Sequence, residues 1–149
     1  MANILDREPV LSPKKETTWT TYKGKYVSFS YPTDANIYKN SLSPAVLESF
    51  SCGTISPRIS LAVQVAPNDS LDDYPAVMLR RSDNNYRETE GELGGSRVAV
   101  FSKETDGAEK SGFLEKNGKI YSIVVVGGQI QLVEEYYSKV IGSVSVISQ

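Results

Sequence analysis

The sequence predicts an α+β fold: a mostly antiparallel sheet carrying at least two helices, in a single soluble domain. Three observations predict it. Several runs alternate apolar and polar residues with the two-residue period of a strand. Asn117-Gly118 separates two such runs, and this dipeptide suits the type I′ turn that joins antiparallel neighbours. Residues 132–141 instead repeat with a helical period.

Residues 1–17 are polar, contain Pro9 and Pro13, and show no periodicity, so they read as a tail or linker. Regular structure begins near Trp19. Tyr26 to Tyr31 alternates, with Val27, Phe29 and Tyr31 on one face, and Pro32 closes it. Ala45 to Ser51 is a weaker strand. Ile59 to Val65 is clearer, with Ile59, Leu61, Val63 and Val65 sharing a face. Ser70 reads as the N-cap of a helix ending near Arg81, with Asp73 completing a variant capping box and Pro75 sitting awkwardly in an early turn. Strands follow over Tyr86 to Leu93, Arg97 to Ser102, Ala108 to Lys116 and Ile120 to Val126. The last is strongly β-branched and is expected near the middle of the sheet. Leu132, Val133, Tyr136, Tyr137, Val140 and Ile141 form one apolar helical stripe. Gly142 reads as its C-terminal stop, and Val144 and Val146 as a short closing strand.

Length and composition bound the function. At 149 residues the chain is long enough for one ordinary core without a disulfide staple. The net charge is −2 and no basic run appears, which argues against nucleic acid as a partner. No stretch reaches the roughly 20 apolar residues of a membrane span. The chain has no histidine and one cysteine. That removes Ser-His-Asp triads, Cys-His dyads, histidine metal sites and CxxC redox pairs. No phosphate-binding loop or dinucleotide fingerprint is present, and no cofactor is expected. Cys52 reads as a small buried hydrophobe.

Two groups remain as site candidates. Glu88, Glu90 and Glu92 alternate along one strand, so they share a face about 7 Å apart. Hard cations take clustered carboxylates, which makes these three the metal candidates, although evenly spaced acids in a row do not converge on a point. A solvated face is the simpler account of them. Trp19, Tyr22, Tyr26 and Tyr38 are the ligand-binding candidates, because aromatics with a polar tip suit grooves and interfaces. Their simpler account is an edge of the core. Asp69, Asp72 and Asp73 are explained by helix capping and the helix dipole.

Trp19-Thr20-Thr21-Tyr22, followed by Tyr26-Val27-Ser28-Phe29-Ser30-Tyr31-Pro32, resembles the first strand of the Mog1/PsbP-like superfamily. Ser70-Leu71-Asp72-Asp73-Tyr74 is similar to its first helix, and Gly95-Ser96-Arg97-Val98-Ala99 to the glycine-led strand after it. Tyr137 to Val146 resembles its final helix running into a short strand. The chain departs from the family at Thr33-Asp34-Ala35, where members often carry a tryptophan. The resemblance spans about residues 19–147 and implies an α/β/α sandwich around a twisted antiparallel sheet. It does not imply one function, since members include photosystem accessory subunits, a Ran-binding protein and bacterial envelope lipoproteins. The expectation is a non-catalytic binding or accessory module, acting on a protein partner outside the cytoplasm after removal of a leader, with a cytoplasmic location as the alternative. A carrier of a small apolar or lipid-like ligand and a carboxylate-dependent enzyme are the alternatives.

Overall fold

The computed structural model describes residues 17–40, 44–52, 57–65, 71–105 and 107–147. The expected tail therefore lies outside the described residues save for Thr17, as do Asp69 and Ser70. Among the described residues, ten strands form two antiparallel sheets. A small sheet has β2 (Val27–Pro32) at its centre, flanked by β1 (Trp19–Lys23) and the two-residue β10 (Ser145–Val146). The large sheet holds β3 (Ile37–Lys39), β4 (Val46–Cys52), β5 (Arg58–Val65), β6 (Arg87–Leu93), β7 (Ser96–Lys103), β8 (Glu109–Lys116) and β9 (Lys119–Val126). Their spatial order is β3-β4-β5-β9-β8-β7-β6, so β9 is the central strand, as its β-branched run predicts.

Alternation on the central strands divides the core in two. Val98 and Val100 of β7, Leu114 of β8, and Tyr121, Ile123 and Val125 of β9 point to one face. There they meet Val27 and Phe29 of the small sheet and the C-terminal helix α2 (Ile130–Ser143). Ala99, Phe101, Phe113 and Ile120 point to the other face and meet Leu71 and Val77. Each fully buried side chain of this size contributes about 1.5–3 kcal/mol over leaving it exposed. A two-residue period thus supplies both faces of a layered α/β/α arrangement.

The helices correct two expectations. The helix expected from Ser70 to Arg81 is broken into a 3-10 turn, Leu71–Asp73, and α1, Pro75–Arg81. Pro75 is the cause. It lacks the N–H an internal helical position needs and biases Tyr74 to an extended backbone, here φ −70° and ψ 129°, so it starts a helix instead of continuing one. Helix α2 is longer than its stripe and runs through Gly142 to Ser143. Gly142 does not take the left-handed conformation of a stop. Instead Ser143 Oγ donates to Val140 O and accepts the Ser30 N–H, both at 2.8 Å, tying the helix end to β2. The buried stripe of α2 is Val133, Tyr137 and Val140. The Asn117-Gly118 turn is as expected, with φ of 57° and 74° at its two residues.

Strands β1 and β3 were not separated from their surroundings by periodicity. β3 is three residues long, too short to show a repeat. β1 reads Trp-Thr-Thr-Tyr-Lys and becomes a strand by pairing with β2 from Trp19–Pro32 to Lys23–Ser28.

Candidate functional site

The four aromatic candidates stand against different neighbours. Trp19 stands edge-on to Tyr136 of α2, with ring centroids 5.2 Å apart. Tyr22 packs edge-on against Phe50 at 4.9 Å and lies 6.1 Å from Phe29, so it bridges the small and large sheets. Tyr26 lies at the β1–β2 turn, with Lys25 Nζ 5.4 Å and Lys119 Nζ 5.6 Å from its ring centroid. Tyr38 is 47% exposed on β3, and its hydroxyl accepts from Asn36 Nδ2 at 3.3 Å.

Tyr22 and Tyr26 nonetheless mark one end of the molecule where chemistry gathers. Lys39 Nζ is 5.8 Å from the Tyr22 ring centroid. The hydrogen bond with the Tyr22 side chain holds this ammonium above the usual lysine range. Between the β1–β2 turn and β3–β4 lies a groove of about 180 Å³. Leu47 and Phe50 give it an apolar floor, and Lys25, Lys39 and Asn40 stand at it.

Glu48 also lines this groove, and it is a residue that sequence reasoning missed. A register shift between Val46 and Glu48 interrupts the β4–β5 pairing. Its Oε2 accepts the Lys25 N–H at 2.6 Å and its Oε1 the Tyr26 N–H at 2.8 Å. The carboxylate thus satisfies two backbone donors of the turn. Gly24 makes room for it, because a Cβ there would fall 2.6 Å from Glu48 Oε2. The available signal was a lone acid in a strand otherwise built of apolar and small residues.

The three acidic candidates are on β6, an edge strand, and share the α1 face. Glu88 receives Arg81 in a bidentate pair, Nε–Oε1 at 3.0 Å and Nη2–Oε2 at 2.8 Å. Glu90 Oε2 is 3.4 Å from Arg97 Nε. Asp72 Oδ1 joins the same arginines, at 2.9 Å from Arg81 and 3.4 Å from Arg97. Arg81 holds the Asp72 carboxyl below the usual carboxylate range. Among the described residues no group of three or more acidic, cysteine or histidine residues is placed to hold a metal ion. Arg81 and Arg97 stand beside Glu88 and Glu90.

A second unforeseen cluster lies beneath α1. Glu109, 7% exposed, accepts from Arg80 Nε at 3.0 Å and Nη2 at 2.9 Å. It also accepts from the Tyr86 hydroxyl at 2.8 Å and from Ser111 Oγ at 3.1 Å. The Arg80 guanidinium lies 5.1 Å from the Phe113 ring and 5.5 Å from that of Tyr86. Burial, reinforced by Glu109, pushes the Tyr86 hydroxyl up to about 12. Through these contacts the cluster latches α1 to β8.

No family model matches the chain, and no curated protein matches it. The fold is PsbP-like. The chain is similar over 93% of its length, and 99% of the other, to the solution structure of cyanobacterial PsbP (CyanoP) from Synechocystis sp. PCC 6803, with a TM-score of 0.62 and 15% identity. A crystal structure from Bacteroides thetaiotaomicron VPI-5482 matches 91% of this chain and 50% of that one, with a TM-score of 0.51 and 10% identity. At such identities the likeness is one of fold. No helix among the described residues is long and apolar enough to cross a membrane.

Proposed function

We propose that the chain is a non-catalytic binding or accessory module that docks on another protein. The observation that carries this reading is the groove beside Lys25 and Lys39. It joins an apolar floor to a cationic rim, and its volume of about 180 Å³ falls below the roughly 300–1,000 Å³ of small-molecule sites. Such a groove suits one side chain from a partner better than an enclosed lipid-like ligand. The lack of histidine and the burial of Cys52, whose thiol is pushed up to about 12 by desolvation, support a non-catalytic role. The family resemblance, which takes in envelope lipoproteins, supports work outside the cytoplasm; fractionation of cells carrying the native gene tests that part.

Co-purification tests the docking. The tagged chain is expected to retain a partner from its own cells. A Leu47→Asp variant, checked by its melting temperature to be folded, is expected to lose it. Equal recovery with the two baits, or turnover of a substrate by the chain alone, would sink the reading.

A further inference from the structure

Among the described residues the two sheets have four edges, β1, β10, β3 and β6, and they are not alike. β3 and β10 are three and two residues long, too short to offer a ladder. β6 carries Glu88, Glu90 and Glu92 along its length. Short strands and rows of charge are the usual ways of keeping an edge from pairing with another chain. β1 has neither. It is five residues long and reads Trp-Thr-Thr-Tyr before its one charge, Lys23, and aromatic and β-branched residues are the ones strands favour. The two ends of the β1–β2 ladder fix which way its backbone groups point. Thr33 N–H donates to Thr18 O and Gly24 N–H to Val27 O, both at 2.8 Å. In an antiparallel pair the residues that exchange hydrogen bonds alternate, so Thr18, Thr20, Tyr22 and Gly24 turn their backbone groups to β2. Trp19, Thr21 and Lys23 turn theirs outward, where no strand among the described residues meets them.

We infer that β1 is an interface with a second copy of this chain, the two β1 strands pairing antiparallel across a two-fold axis at Thr21. This contact stands apart from the groove. The outward groups at Trp19, Thr21 and Lys23 are evenly placed about Thr21. A two-fold there brings Trp19 to Lys23 and Thr21 to Thr21, and gives every outward N–H and C=O a partner. The side chains agree with this register. Thr21 is exposed and meets its own copy, a pair that antiparallel sheets favour. Lys23, also exposed, comes beside Trp19, which Tyr136 already braces at 5.2 Å, and an ammonium is attracted to an aromatic ring. The two Lys23 charges stand at opposite ends of the paired strands, so no like charges oppose each other. The same arrangement at β6 would lay one row of glutamates beside another. One strand from each copy buries less than the roughly 1,200 Å² of a stable interface, so the dimer is transient and forms as concentration rises.

Sedimentation equilibrium and backbone amide hydrogen exchange of the intact chain test this. The mean mass is expected to rise with concentration, from one copy toward two. The N–H groups of Trp19, Thr21 and Lys23 should gain protection in step, while those of Thr20 and Tyr22, already turned to β2, stay as they were. Thr21→Pro removes the donor at the axis and leaves the β1–β2 ladder intact, because this N–H faces outward. It should weaken association by about tenfold or more. Thr21→Lys and Thr21→Glu, each alone, set like charges against each other at the axis and should weaken it too. Mixed in equal amounts, the two charged variants should associate more tightly than either does alone. That comparison holds even where the proline variant fails to fold. A chain that stays single at every concentration up to its solubility would overturn the proposal. Association that Thr21→Pro leaves unchanged, or a mixture of the charged variants no tighter than its components, would place the contact elsewhere and overturn it equally.

Discussion

Gly112 shows how far a single residue can set the packing of this fold. It sits on β8 between Val100 and Ile123, and a Cβ there would collide with the Tyr137 hydroxyl of α2. A lone glycine inside a strand often marks such a close approach. Gly112→Ala is expected to destabilise the protein by about 1–3 kcal/mol through overpacking. Adding Tyr137→Phe should recover part of that loss, because it removes the atom being struck; chemical denaturation of the two variants measures both. Glu109→Ala leaves the half-buried Arg80 without its carboxylate and is expected to cost about 1–3 kcal/mol. Glu109→Gln keeps an acceptor for Arg80 and should cost less. Buried protons give a pH dependence with a definite sign. Cys52 is raised from an ordinary 9.0 to about 12, and Tyr86 and Tyr137 from 10.0 to about 12. Above pH 9 the unfolded chain holds fewer protons than the folded one, so stability falls as pH rises. The loss should begin near pH 9 with Cys52, steepen near pH 10 with the tyrosines, and level off above about 12. Equilibrium unfolding from pH 8 to 11 tests this, and Cys52→Val should remove the earliest part of the decline.

Elements were legible where local chemistry and tertiary demand agreed. The β8–β9 hairpin is the clearest case. Asn117 and Gly118 both adopt positive φ, the conformation that dipeptide favours, and the runs on either side alternate in register. Gly118→Ala is expected to cost about 1–2 kcal/mol, because an L side chain is strained at φ 74°; thermal unfolding would detect it. Legibility failed where long-range contacts decide. Helix α2 passes through Gly142 because Ser143 is held by Ser30, 113 residues away in sequence. Strand β1 exists because β2 pairs with it. On β6, the alternating glutamates were visible as a shared face, but their arginine partners come from α1 and β7. These ion pairs are exposed, so Arg81→Ala should change stability by less than about 1 kcal/mol. Their more useful consequence is to keep an open sheet edge charged, which discourages edge-to-edge pairing.

For the whole molecule, the order of the elements was the most readable feature and the site the least. Apolar alternation reports which face of a strand is buried and predicts an antiparallel α+β domain; the PsbP-like sandwich was implied by the resemblance of particular segments, taken in their order. Alternation says nothing about which loop comes to rest beside which strand. The groove is built from the β1–β2 turn and from β3–β4, brought together by Glu48 across more than 20 residues of sequence. Tyr22 bridges the two sheets through Phe29 and Phe50, and Tyr26 has Lys25 and Lys119 over its ring, whereas Leu47 and Glu48, which the sequence did not single out, line the groove itself. The claim that this surface is where the protein works is tested most directly by photo-crosslinking in living cells. A photoreactive residue at Asn40, on the groove, is compared with one at Glu92, on the far edge of the large sheet. The account predicts a discrete adduct with one protein from Asn40 that Leu47→Asp abolishes, and none from Glu92. Adducts from Glu92 alone, or from Asn40 unaffected by Leu47→Asp, would contradict it.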